Sequence, residues 1–379
     1  MRYRAAALFA IMVPTLSCEA SSTTALRGPP REVIESCITN AATRLKFNGS
    51  IFVSLGDVRI ERSFGTSDAA GQVSVDSKTR FSLGSASKMF TAMAIARLVD
   101  RGAIDLNAPI NRYLPDLKPE FSSVTVAQLL NHTSGLGDYL DPRNKTIIDA
   151  ALTATDLLPL ALTTAPSFPP GSKRAYSNSG FVVLGAIIEK VSGMSYAKFV
   201  QKEILTRLGM THTQFLAAGS AEPMTRMSPG GMLDAPIPSP LRDLHASAAG
   251  GVVSTTDDIA KFLTALSNGA LIRRATLEEF LLPRADPSGA PGNYGYGFNV
   301  RIGPPLRVGH GGGAPGVNAE IAYYPDTRWQ LVALSNNDPP TASRMVTVLE
   351  KTIFAPDPEH ACAGALADQL LFAPLPTRP

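Results

Sequence analysis

The sequence has 379 residues and a mass of 40.1 kDa, with 44% hydrophobic and 18% charged residues, which allows a large core and excludes wholesale disorder. Its 35 basic and 32 acidic residues leave a net charge of +3 without a basic run, so nothing favours a phosphate backbone as partner and no nucleic acid is expected. No apolar stretch reaches the ~18 residues that a bilayer span needs, and the five His and three Cys fall outside zinc-ligand spacings such as C-x-x-C, so no metal is expected.

In chain order, the first feature is a leader. Arg2 and Arg4 precede a largely apolar stretch, residues 5–16, and Cys18-Glu19-Ala20 puts small residues where a signal peptidase reads. Residues 1–20 are therefore expected to direct export, to the periplasm or the medium. Leu16-Ser17 before Cys18 also admits a lipid anchor at Cys18. Removal of the leader leaves Cys37 and Cys362, which read equally well as a disulfide or as two separate buried thiols. A bond between them would close a very long loop and stabilise by roughly 2–4 kcal/mol.

Residues 31–46 have helical periodicity, with Val33, Ile34, Cys37, Ile38 and Ala41 on one face. Residues 50–55 and 57–64 alternate like two strands around a Gly56-Asp57 turn. Residues 85–101 follow as a helix that Gly102 ends. Its middle, Met89 to Ala96, is apolar or small all round except for Thr91, the mark of a helix buried in the centre of a domain. Helical segments are expected near residues 125–131, 147–162, 180–191 and 196–208, and Ser254-Thr255-Thr256-Asp257 resembles a capping box opening another that runs to Leu266. Strand patterns return at 294–302, 306–310, 317–324 and 330–335, before a last helix over 341–354. Stretches 234–241 and 282–293 read as surface loops, and the proline-rich 373–379 as a disordered tail.

Strands at both ends and helices between them predict an α+β architecture: an antiparallel sheet flanked by helices, with a mainly helical insertion. The sheet domain would combine residues 21–115 and 242–372, the helical one 116–241, and a site would lie in the cleft between them.

Three motifs suit chemistry. Ser85-Ala86-Ser87-Lys88 opens the buried helix, where positions i and i+3 share a face, so the Lys88 amine can approach the Ser85 hydroxyl. A lysine has no structural use in the first turn of a buried helix, and as a base it needs a depressed pKa, which burial supplies. Among the eleven lysines only Lys198 also has a serine three residues earlier, and there Ser195 reads as the cap of an amphipathic helix. Tyr176-Ser177-Asn178 precedes the helix near Gly180; the phenol could pass protons, and the carboxamide could donate to and accept from a substrate. On its own the tripeptide reads as a packed Tyr and an Asn N-cap. His310-Gly311-Gly312-Gly313 ends a strand pattern, and its bare backbone could admit substrate and bind an oxyanion, or form a plain bend between strands. Gly311 to Gly316 also fits G-x-G-x-x-G, but an alternating, strand-like run follows it where a dinucleotide site needs a helix. No G-x-S-x-G elbow accompanies the His-Gly-Gly-Gly string, which sets aside an α/β-hydrolase.

Taken in order and spacing, Ser85-x-x-Lys88, Tyr176-x-Asn178 and His310-Gly311-Gly312 resemble the serine β-lactamase and penicillin-binding-protein superfamily, in the branch with class C β-lactamases, D-Ala-D-Ala carboxypeptidases, D-aminopeptidases and β-lactamase-like carboxylesterases. Leu129-Leu130-Asn131-His132-Thr133-Ser134-Gly135-Leu136 is similar to a stretch of the same branch, in which His132 has a structural part. The resemblance covers about residues 31–355 and implies the β-lactamase/transpeptidase-like fold. It further implies Ser85 as nucleophile, Lys88 and Tyr176 as proton carriers, and Asn178, His310, Gly311 and Gly312 as substrate contacts. The backbone N–H groups of Ser85 and Gly313 would form the oxyanion hole, with no cofactor. Where β-lactamases of this family carry Lys-Thr-Gly, this chain has His310-Gly311-Gly312, so the carboxylate of a β-lactam loses its usual partners. The resemblance then implies a small-molecule ester or peptide substrate, with esters and D-amino-acid amides or peptides ahead of β-lactams. A class C-like β-lactamase and a non-catalytic, peptidoglycan-binding envelope protein are the alternatives.

Overall fold

The computed structural model describes residues 28–67, 71–215, 247–284 and 292–372, with 227–228, 231–232, 286–287 and 289 between them. The expected leader at 1–20, the lipid-anchor position Cys18, the loop 234–241 and the tail 373–379 lie outside the described residues.

Six strands form one antiparallel sheet: β1 (Gly49–Leu55), β2 (Val58–Phe64), β3 (Asn299–Arg301), β4 (Arg307–Ala314), β5 (Val317–Tyr323) and β6 (Gln330–Ser335), in the order β2-β1-β6-β5-β4-β3. The two ends of the chain meet at its centre, where Phe52 pairs with Val332. Alternation along the strands feeds two cores. Ile51, Val53, Leu331 and Ala333 pack against helices α1 (Arg31–Leu45), α5 (Thr341–Ile353) and α6 (Pro358–Ala367). Phe52, Val332 and Leu334 point the other way, into a larger core that continues through α2 (Lys88–Asp100), α3 (Asn178–Ser192) and α4 (Thr256–Asn268). The chain thus has the antiparallel sheet flanked by helices that its periodicities predict. On the α1 side, Cys37 and Cys362 are joined, S–S 1.98 Å, across 325 positions of sequence.

Several boundaries differ from expectation for local reasons. The glycine-rich stretch after His310 is no bend: β4 runs on through it to Ala314, in register with β5 from Val317↔Ala314 to Tyr323↔Val308. The helix expected over 147–162 is broken, because Asp156 Oδ2 accepts the backbone N–H groups of Leu152 and Thr153, both at 2.9 Å, and starts a new turn. The strand expected over 294–302 shrinks to β3, with Tyr294 making only isolated bridges. The cap of α4 is Thr255, whose side chain accepts from Asp258 N, one position later than the capping-box reading. Helices Arg274–Leu281 and α6 have no counterpart in the sequence reading. Among the described residues no single helix is long and apolar enough to cross a membrane.

Candidate active site

The site is built on the start of α2. Residues Met89 to Ala96 are fully buried, and Thr91, the one polar side chain among them, is satisfied by Ala248 O at 2.6 Å and by the Tyr196 hydroxyl at 2.7 Å. A 3-10 turn (Gly84–Ser87) precedes α2 and presents Ser85 at the edge of this core. Gly84 has φ +49°, a left-handed conformation that suits glycine and sends the chain sharply into the turn.

Lys88 is fully buried, and its Nζ lies 3.3 Å from Ser85 Oγ, 2.7 Å from Asn178 Oδ1 and 2.9 Å from the Ala249 carbonyl oxygen. Two of these partners, the carbonyl and the amide oxygen, can only accept. A neutral amine, with two protons, gives both to them and turns its lone pair toward Ser85, the one neighbour with a proton to donate. Burial pushes the Lys88 pKa down to about 7, against the opposing pull of the Asp138 carboxylate, so the neutral form is accessible near neutrality.

Tyr176 completes the group. Its hydroxyl is near enough to the Ser85 side chain for that side chain to act on its pKa, and its ring centroid lies 4.8 Å from Lys88 Nζ. About half of its surface (49%) is open to solvent at the mouth of the site, yet the crowding of the phenol end raises its pKa to about 12. The helix cap here is Ser177, whose Oγ accepts from Gly180 N at 2.9 Å. Asn178 is therefore released from capping, and its carboxamide reaches Lys88 on one side and Asp138 Oδ2, 2.7 Å from Nδ2, on the other. The acceptor-only carboxylate fixes which end of the amide faces Lys88.

His132, with φ +63°, stacks on Tyr176 at 4.3 Å between ring centroids. Its Nδ1 accepts from Ser177 N at 3.1 Å, which puts the proton on Nε2, buried without a hydrogen-bond partner against the rings of Tyr176, Phe181 and Tyr294. Burial keeps this ring neutral, and it props the tyrosine.

His310, expected as a substrate contact, is placed as a buried ring. The ring is 3% exposed, and both nitrogens are spoken for: Nδ1–H donates to the Gly311 carbonyl at 2.6 Å, and Nε2 accepts from the Tyr294 hydroxyl at 2.9 Å. Burial, with Lys88 nearby, pushes its pKa down to about 3, so it is neutral at any working pH. Its Nδ1 bond is to the backbone of β4 itself. There β3 pairs only as far as Asn299↔Gly309, so from His310 on the outer edge of β4 has no strand neighbour among the described residues. Gly312 packs directly on the Leu83 carbonyl and the Ala86 amide, and Gly313 N lies close to Gly84. The two N–H groups expected to hold an oxyanion, those of Ser85 and Gly313, are thus carried on adjoining backbones.

Ser195, the rival Ser-x-x-Lys serine, caps its helix by accepting from Lys198 N at 3.4 Å, and Lys198 is exposed. Asp138 and Tyr294 join the site without a signal in the sequence reading; Asp138 lies two residues past the stretch similar to the superfamily.

Comparisons with known proteins bear on the family and the fold. A family model described as beta-lactamase matches residues 51–350. The chain is 29% identical over 335 residues to penicillin-binding protein 4* of Bacillus subtilis (strain 168), covering 82% of this chain and 73% of that protein. It is 31% identical over 251 residues to esterase EstB of Burkholderia gladioli, covering 56% and 63%. Among solved structures, D-amino acid amidase from Ochrobactrum anthropi SV3, complexed with L-phenylalanine amide, matches with a TM-score of 0.69 at 26% identity, covering 89% of this chain and 99% of that one.

Proposed function

The chain belongs to the beta-lactamase family and is a serine hydrolase of it, and from that premise we propose a Ser-Lys-Tyr enzyme that cleaves ester or amide bonds through an acyl-enzyme. The observation that carries this reading is the hydrogen-bond pattern of Lys88, which leaves a free amine only Ser85 to take a proton from.

In the first step Ser85 Oγ attacks the substrate carbonyl carbon as its proton passes to Lys88 Nζ. The tetrahedral oxyanion lies between the N–H groups of Ser85 and Gly313. The ammonium so formed has three protons for its three acceptors, which stabilises the charge. Tyr176, near Ser85 and beside Lys88, relays a proton to the leaving group as the tetrahedral carbon collapses. Lys88 is then neutral again, and the acyl group rests on Ser85 Oγ. Water then attacks the acyl carbon, one of its protons passes through Tyr176 and Lys88 to Ser85 Oγ as the bond from that oxygen to the acyl carbon breaks, and the acid leaves.

The buried, neutral His310 argues against an anchor for a substrate carboxylate, and so for esters and amides ahead of β-lactams. Export of the chain is part of the same proposal, supported by the leader-like residues 1–20 and by the joined Cys37–Cys362 pair, which suits an oxidising compartment.

A fluorophosphonate probe tests the reading. The expected adduct maps to Ser85 by mass spectrometry, disappears in Ser85→Ala, and forms at least about 100-fold more slowly in Lys88→Ala. Equal labelling of Ser85→Ala would sink the proposal.

A further inference from the structure

His132 grips three consecutive residues of the segment that presents the phenol. Its carbonyl oxygen accepts from Ala175 N at 3.0 Å, its ring stacks on Tyr176 at 4.3 Å, and its Nδ1 accepts from Ser177 N at 3.1 Å. The left-handed backbone at His132, φ +63°, is uncommon outside glycine, and here carbonyl and ring both meet one segment. A phenylalanine could fill the same space and would leave no polar atom buried, yet Nε2 of His132 has no hydrogen-bond partner among the described residues. What the imidazole adds is Nδ1, the acceptor for Ser177 N. Burial, with Lys88 nearby, holds the ring neutral, so it acts by where it stands and not by exchanging a proton.

The same ring meets Tyr294 at 4.7 Å between centroids. Tyr294 is buried, its hydroxyl donates to His310 Nε2 at 2.9 Å, and His310 bonds the Gly311 carbonyl on β4. Four rings, Tyr176, His132, Tyr294 and His310, therefore run from the phenol to the strand that carries Gly313, with centroids 4.3, 4.7 and 5.7 Å apart. Tyr176 is half exposed at the mouth of the site, so its outer side has no such wall.

We propose that His132 and Tyr294 are positioning residues, and that the row of rings fixes the Tyr176 phenol relative to the oxyanion strand and thereby decides which leaving groups the site can expel. The proposal rests on the acyl-enzyme reading above. When the tetrahedral carbon collapses, its bond to the leaving oxygen breaks, that oxygen takes the Tyr176 proton, and the phenol oxygen takes one from the Lys88 ammonium. An alkoxide needs that proton, whereas p-nitrophenoxide is stable near neutral pH and departs without it. A phenol displaced by about 1 Å therefore slows alkyl esters far more than p-nitrophenyl esters.

The test measures kcat/KM, which reports the steps up to the acyl-enzyme, for p-nitrophenyl butyrate and ethyl butyrate. The readout is the ratio of the two, since a fold weakened in general slows both alike. In Tyr176→Phe the ratio of p-nitrophenyl to ethyl ester should rise by about 100-fold or more over the wild type. His132→Asn keeps a residue that tolerates the left-handed backbone and carries an oxygen acceptor, but it removes the ring; there the ratio should rise by about 10-fold or more. Tyr294→Phe keeps the ring against His132 and removes only the bond to His310, and the rise should be about 3-fold or more. If His132→Asn does not fold, Tyr294→Phe decides. An unchanged ratio in either folded variant would overturn the proposal, as would a wild type that hydrolyses p-nitrophenyl butyrate but not the ethyl ester. An unchanged ratio in Tyr176→Phe would instead overturn the proton relay beneath it, and failure of Ser85 to label with fluorophosphonate would overturn the hydrolase reading as a whole.

Discussion

Lys88 and His310 share the cleft, and burial lowers both their pKa values with opposite consequences. For Lys88 the fall to about 7 makes a usable base; for His310 the fall to about 3 removes it from acid–base work. The rate on a p-nitrophenyl ester should therefore rise with pH through about 7, as Lys88 loses its proton, and that limb should stay in place in His310→Gln. A limb that moves with His310→Gln would assign it to the histidine instead. Removing the Asp138 charge takes away the influence that raises the Lys88 pKa, so in Asp138→Asn the limb should shift to lower pH. Ser85, Lys88, Tyr176 and Asn178 are legible in the sequence because their spacing is set by one helix turn or one tripeptide. The state of His310 is not, since it depends on Tyr294 and Gly311 closing around the ring. Asp138 is a lone acidic residue in a loop, with no period or motif to mark it.

At the scale of elements, the decisive contact is β4 against the turn that carries Ser85. Gly312 is required by that close approach rather than by a bend: a methyl group there would collide with the Leu83 carbonyl oxygen and crowd the Ala86 amide. Gly312→Ala should force β4 away from the turn and separate the Ser85 and Gly313 amides. We expect acylation to slow by about 100-fold or more, measured as the rate of fluorophosphonate labelling, together with a lower melting temperature. Labelling at the wild-type rate would show that the two backbones are not packed as described. The glycine run was readable as a place where backbone must come close, but not as strand, because glycine carries no alternation to count. The start of α6 did carry a signal, Asp357 capping with Pro358 in the first turn. Arg274–Leu281, by contrast, caps with no side chain and opens on a basic residue, so nothing local announces it.

For the whole molecule, the sheet is assembled from both ends of the chain, with β1 beside β6, and the Cys37–Cys362 bond ties α1 to α6 on one face of it. Pairing partners so distant in sequence make folding slow to begin, since the ends must find each other first. Cutting the covalent tie releases a loop of more than 300 residues in the unfolded chain. Reduction should therefore cost about 2–4 kcal/mol and several degrees of melting temperature. Hydrolysis at 25 °C should survive, because Ser85 sits between Leu83 and Ala86 at the edge of the core on the other side of the sheet. A melting curve with and without a phosphine reductant checks this, and an unchanged midpoint would mean that the tie contributes nothing. The meeting of the two chain ends was legible from the strand patterns alone; the pairing of the cysteines was not, because sequence does not say which way two thiols point.

The phenol at the mouth of the cleft has a practical corollary. It is 49% exposed, while every other tyrosine among the described residues is at most 8% exposed. A mild nitrating reagent should therefore modify Tyr176 ahead of those others, and the yellow chromophore it leaves would stand beside the reacting centre. A covalent inhibitor on Ser85 should shield it, so that colour formation, read on a tryptic peptide, becomes a gauge of how many molecules in a sample are still vacant.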